Sequence, residues 1–189
     1  MLFRSTAVLP DKHHYRSQIE RSQEYLFSGD SYELCLTAPT RVLVPNSFYR
    51  NDQGSTSWEQ YKRLRKRNPA PHSAYLRLHP STLISSSPER FLSYSRAPST
   101  CQLRPIKGTV RKGPGVTREV AEQALVGSTK EVAENLMIVD LIRNDLSRVS
   151  VPGTVAVDRL FQVERVGSLW QMTSTVHGDL APEIGRAHV

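Results

Sequence analysis

A chain of 189 residues with 25 Lys+Arg against 18 Asp+Glu carries a net charge of +7 and is long enough to bury one core. Its content, 38% apolar and 23% charged, is that of a globular protein, and no apolar run nears the roughly 18 residues that span a bilayer. Met1–Pro10 is interrupted by Arg4 and does not read as a secretory leader. Cys35 and Cys101 form no CxxC pair, which argues against a cysteine metal cluster or disulfide framework and makes the reducing cytoplasm the expected location.

The pattern predicts a first helix over 11–28, with Ile19, Gln23 and Leu26 on its inner side and Gly29 as its stop. Residues 32–37 alternate like a strand, and 45–57 read as a loop. Trp58 opens a helix that ends at Asn68-Pro69 and carries the basic run Lys62-Arg-Leu-Arg-Lys-Arg67. A solvated helix face explains that run better than nucleic-acid binding, because no zinc spacing or RNP-like aromatic motif accompanies it. Short strands are expected at 73–78, 82–86, 90–94 and 101–104, with a loop at 95–100.

Lys112–Val116 breaks structure ahead of a helix capped near Thr117, where Glu119 adds negative charge to the first turn. A longer helix is predicted over 129–147, with Val132, Leu136, Val139, Ile142, Leu146 and Val149 forming one buried stripe. Extended segments follow at 154–157, 160–166 and 172–176. Helices and strands mix without a βαβ rhythm, so the expected class is α+β or a layered α/β arrangement.

Three segments could carry chemistry. Ser85–Phe91 places one acid, Glu89, and one base, Arg90, in a turn at a strand end. Arg104-Pro-Ile-Lys-Gly-Thr109 holds Lys107 in a tight Pro/Gly frame. Lysine attacks poorly at its free pKa of about 10.4 unless it is desolvated or paired with a base. On composition alone, Lys107 reads better as an exposed turn lysine. In Lys130–Asp145, Glu131 and Glu134 stand i, i+3 on one helix face, a donor set that suits Mg²⁺ but also an ordinary salt-bridge ladder.

In combination these segments resemble the chorismate-binding catalytic domain shared by anthranilate, isochorismate and aminodeoxychorismate synthases. The matching stretches, in family order, are Gly29-Asp-Ser-Tyr-Glu-Leu34, Ser87-Pro-Glu-Arg-Phe91, Pro105-Ile-Lys-Gly-Thr109, Glu134–Asp145 and Val151-Pro-Gly-Thr154. The resemblance implies an incomplete layered α/β sandwich of the anthranilate synthase component I type over 1–182, with its ligand between two sheets. Relatives that make anthranilate or isochorismate carry Ala where this chain has Lys107, and the aminodeoxychorismate type carries Lys. In that type the lysine is held to attack C2 of chorismate as the C4 hydroxyl leaves, after which ammonia attacks C4 and expels the lysine.

Carried over residue by residue, the resemblance makes Lys107 and Glu89 catalytic, the latter as a general acid/base. It makes Gly108, Thr109 and Gln171 substrate-binding, and Glu131 with Glu134 ligands of Mg²⁺. It assigns Asp140–Asp145 to scaffold support. Its implied partners are chorismate and a glutamine amidotransferase, as a subunit or fused domain, that supplies ammonia, with neither nucleic acid nor membrane.

The sequence departs from the family in two respects. Gln171 stands where many relatives carry His, and it can donate a hydrogen bond but cannot shuttle a proton near neutral pH. A Gly-Ala-Pro-Lys-like turn, a basic carboxylate site and a second Glu pair are not found before Val189, so the chain is expected to be an inactive fragment. Residues 183–189, Glu-Ile-Gly-Arg-Ala-His-Val, match a translated sequencing adapter and are expected to be a non-native tail. The rival readings are anthranilate synthase component I, which Lys107 opposes, and, more distantly, a basic nucleic-acid-binding module.

Overall fold

The computed structural model describes residues 6–43 and 56–182, and it divides the chain into two compact units, 1–56 and 57–189. In the first unit, β1 (Thr6–Val8) pairs antiparallel with β2 (Arg41–Leu43), and α1 (Lys12–Phe27) lies between them in sequence. The Asp11 side chain caps α1 by accepting from His14 N–H at 2.7 Å. At the other end, Asp30 N–H reaches Tyr25 O (3.1 Å) and Gly29 N–H reaches Leu26 O (3.3 Å). Gly29, at φ 79°, supplies the left-handed residue that this paired closure requires.

The inner side of α1 differs from the expected one. Tyr15, Gln18 and Ser22 are its half-buried residues, whereas Ile19 and Leu26 are exposed. No described residue of this unit is buried. The expected strand at 32–37 is not formed either, because alternation makes a strand only where a partner edge exists, and the ladder here belongs to 6–8 and 41–43. The expected loop at 45–57 falls mostly outside the described residues.

The second unit begins with α2 (Thr56–Arg67), whose Tyr61 is buried against Trp58 and Tyr75, with ring centroids 5.1–5.6 Å apart. Its basic end is exposed, in line with a solvated face. Strands β3 (His72–Leu78) and β4 (Ser81–Ser87) form a hairpin. A five-stranded antiparallel sheet then follows from β5 (Arg90–Arg96), β6 (Ser99–Arg104), β7 (Ile106–Arg111), β8 (Ala156–Val166) and β9 (Leu169–Asp179). The expected loop at 95–100 is a tight turn, since β5 and β6 pair as far as Arg96 and Ser99.

Strand β9 is the centre. β8 lies along one side of it, and β6 and β7 lie end to end along the other, joined through Pro105. Helices α3 (Arg118–Val126) and α4 (Thr129–Ser147) cover one face of this sheet. The Thr117 hydroxyl caps α3 and holds the Glu119 carboxyl below its usual range. α4 buries Val139, Ile142 and Leu146 against Cys101, Val176 and Leu180, each side chain contributing about 1.5–3 kcal/mol. Burial pushes the Cys101 thiol up, so it stays an inert packing group.

The α4 stripe differs from the expected one at a single turn, where Leu136 is 50% exposed and Asn135 is fully buried in its place. A polar side chain won that position because a partner waits for it on β9. Ser174 Oγ donates to Asn135 Oδ1 at 2.5 Å. Among the described residues, no helix is long and apolar enough to cross a membrane.

Candidate active site

Lys107 lies on a strand rather than in the rigid turn that its Pro/Gly frame suggested. β7 pairs with β9 on one side only, so it is a sheet edge among the described residues. Register places Ile106 opposite Thr173 and Lys107 opposite Met172, after which it shifts, and Thr109 stands opposite Gln171. Gly108 is the extra residue of this bulge, at φ 76°. A Cβ added there would meet Leu125 Cδ2 at 2.7 Å and Glu131 Oε2 at 3.0 Å, so the glycine is what lets the strand press against α3 and α4.

Glu89 sits in the turn between β4 and β5, where Ser87 Oγ accepts from its N–H at 3.3 Å. Its Oε1 accepts the Ile106 N–H at 2.9 Å, which ties the acid to the residue just before Lys107. Glu89 remains exposed, so it can exchange a proton with solvent. Lys107 is half-buried, and among the described residues its amine has no hydrogen bond or ion pair.

Glu131 and Glu134 stand in the first two turns of α4, whose N-cap Ser128 accepts from Glu131 N–H at 3.4 Å. Glu131 is half-buried with its carboxylate against Gly108, and Glu134, also half-buried, lies 3.8 Å from Lys130 Nζ. The pair fits Mg²⁺, which takes one or two protein carboxylates and fills its shell with water and substrate oxygens. Among the described residues, no group of three or more acids, histidines or cysteines gathers into a metal cage. The two residues that flank Lys107 each meet an acid, Ile106 through its N–H to Glu89 and Gly108 through its contact with Glu131, and Glu134 stands one turn further along the helix.

Thr109 and Gln171 occupy the other side. Strand alternation puts Met172 and Lys107 on the helix-covered face and Gln171 with Thr109 on the opposite one. Gln171 is 3% exposed, and it lines a cavity of about 320 Å³ with Arg104, Ile106, Glu164 and Thr173. A ligand touching both Lys107 and Gln171 must therefore reach around the free edge of β7.

Sequence reasoning missed Arg104, Glu164, Asn135 and Ser174. Arg104 pairs with Glu164 across the sheet, and Arg90, at the start of β5, donates to Gln102. Arg104 opens the lysine segment and Asn135 lies i+4 from Glu131, so both positions were findable. Glu164 and Ser174 gave no signal, since only strand register brings them to the site.

The chorismate binding enzyme family matches residues 3–189. Aminodeoxychorismate synthase of Streptomyces pristinaespiralis is 42% identical over 176 residues, which cover 91% of this chain and 23% of that protein. Aminodeoxychorismate synthase component 1 of Salmonella typhimurium is 41% identical over 164 residues, covering 86% and 34%. The chain thus spans about a fifth to a third of the length of the curated relatives it matches.

Among solved structures, anthranilate synthase component I from Streptococcus pneumoniae aligns with TM-score 0.74 at 23% identity, over 97% of this chain and 38% of that one. A putative 2,3-dihydroxybenzoate-specific isochorismate synthase from Bacillus anthracis aligns with TM-score 0.65 at 20% identity, over 95% and 47%. At such identities these structures share the fold, which bears out the α+β class. On the family match over nearly its whole length, the chain belongs to the chorismate-binding enzymes.

Proposed function

We propose that this chain is the lysine-bearing part of an aminodeoxychorismate synthase, which converts chorismate and ammonia to 4-amino-4-deoxychorismate, the precursor of 4-aminobenzoate for folate. The observation that carries the reading is the half-buried Lys107, on the strand directly before a bulge whose Gly108 meets α3 and α4, with Glu89 anchored to the residue before it. The names of its 35–42% identical relatives support it independently.

In this scheme the Lys107 amine lone pair bonds to C2 of chorismate, the two ring double bonds shift, and the C4 hydroxyl leaves as water. Glu89 gives that hydroxyl its proton and takes one from the lysine nitrogen. Ammonia then bonds to C4, the double bonds shift back and the C2–N bond breaks, while Glu89 passes a proton from the incoming nitrogen to Lys107, which departs as the amine. Splitting one difficult displacement into two of matching geometry is what the lysine contributes. Glu131 and Glu134 would hold Mg²⁺, which neutralises and orients the ring carboxylate when bound. Gly108 and Thr109 would bound the substrate at the β7 edge, and Gln171 would meet it only from the cavity on the opposite face.

Ammonia would come from a glutamine amidotransferase subunit or fused domain, which suits relatives named as component 1. Cys35 and Cys101 are free thiols, as befits a reducing compartment such as the cytoplasm.

The test is product analysis of the full-length protein with chorismate and ammonia. Aminodeoxychorismate is the expected product, and anthranilate would overturn the reading. Glu89→Gln is expected to lower the rate about 10²–10⁴-fold at little cost in stability, because the amide oxygen can still accept the Ile106 N–H but cannot carry the proton. A rate within twofold of wild type would remove Glu89 from the proton path.

A further inference from the structure

We infer that Asn135 and Ser174 are positioning residues that set helix α4 on the sheet so that Glu131 meets the bulge beside Lys107; this rests on the amination reading above. Asn135 and Ser174 are both fully buried, on α4 and β9 respectively, and Ser174 Oγ donates to Asn135 Oδ1 at 2.5 Å. The same Oγ accepts the N–H of Phe161 at 3.1 Å, in the irregular part of β8 where Phe161 takes φ 55°. The Ser174 N–H donates to Pro105 O at 3.1 Å, two residues before Lys107. One serine thus joins α4, β8, β9 and the lead into β7.

Asn135 follows Glu131 by four residues, so the two share a face of α4, one turn apart. The apolar contacts of α4, such as Val139 and Ile142, fix its distance from the sheet but tolerate sliding and rotation, since dispersion has little directionality. A hydrogen bond does not. The Asn135–Ser174 bond therefore specifies the helix register, and with it where the Glu131 carboxylate lands, 3.0 Å from the place a Cβ would take at Gly108. A buried amide is an odd choice for stability alone, because Asn135 Nδ2 is left without a partner among the described residues.

The experiment compares two variants of the full-length protein. Ser174→Ala breaks the bond, and it is expected to lower kcat at least tenfold while the KM for ammonia stays within twofold. The double variant Asn135→Leu/Ser174→Ala replaces both partners with apolar groups, which relieves the orphaned amide and should recover most of any lost melting temperature. Its kcat is expected to stay low. Recovery of kcat in step with the melting temperature, or a Ser174→Ala enzyme as fast as wild type, would overturn the inference. Should the unsubstituted protein form no aminodeoxychorismate, the amination reading fails separately. Positioning is then read from the acetylation rate of Lys107 by acetic anhydride, followed by peptide mass spectrometry. Ser174→Ala should change that rate at least threefold, and an unchanged rate would sink the inference.

Discussion

Lys107→Ala in the full-length protein is expected to cut aminodeoxychorismate formation by at least about 10³-fold, the scale on which removal of an attacking group is felt. Stability should barely change. The lysine is half-buried, and its amine has no hydrogen bond or ion pair among the described residues, so truncation strands no partner. The two readouts, product formation by chromatography and melting temperature, therefore separate a chemical role from a structural one. A truncated protein that still aminates chorismate at the wild-type rate would show that ammonia reaches the ring without help from the lysine. A protein that loses rate and melting temperature together would return Lys107 to the scaffold.

Gly108→Ala should damage both stability and rate. At φ 76° an alanine costs about 1–2 kcal/mol in backbone strain alone. Its Cβ would also stand 2.7 Å from Leu125 Cδ2 and 3.0 Å from Glu131 Oε2, and overpacking of this kind costs about 1–3 kcal/mol. Together these amount to a fall in melting temperature on the order of 10 °C. Both clashing atoms are side-chain ends, so Leu125 and Glu131 must turn aside, and the Glu131 carboxylate then leaves its place beside the bulge that follows Lys107. Misplacement of a reacting group by about 1 Å can cost about 10²-fold in rate, and that loss is expected to remain at temperatures where the variant is fully folded. Calorimetry and the product assay check the two halves, and a variant with native stability and native rate would show that the bulge constrains nothing.

How much of this was legible in the sequence depends on what each element rests on. Helices α1 and α4 were readable to within a residue or so, because the Gly29 stop of α1 and the apolar stripe of α4 are local signals. The β3–β6 strands were readable from alternation between turn residues. The failures share a cause. Residues 32–37 alternate as well as any strand here, yet none of the described residues forms a ladder with them; pairing is a property of another segment and leaves no mark on the alternating one. Lys107 looked like a turn residue because Pro105 and Gly108 are turn residues elsewhere. In this chain Pro105 joins two collinear strands, and Gly108 makes a bulge.

The same division holds at the site. Lys107, Glu89, Glu131 and Glu134 were nameable from motif resemblance; of the acids, Glu89 meets the backbone just before Lys107 and Glu131 meets the glycine just after it. That Gln171 lies across the sheet from Lys107 was beyond reach, since a single-residue register shift decides which face Thr109 and Gln171 share. Asn135 was hidden by its own chemistry: periodicity favoured the neighbouring Leu136 for the core, and only the Ser174 hydroxyl makes the amide the better fit.

The most direct measurement of the central claim is mass spectrometry of the full-length protein after incubation with chorismate in the absence of ammonia. Without the second nucleophile the lysine adduct should accumulate, so the peptide containing Lys107 is predicted to gain the mass of chorismate less one water. An unmodified Lys107 peptide in a protein that aminates chorismate once ammonia is added would contradict the account.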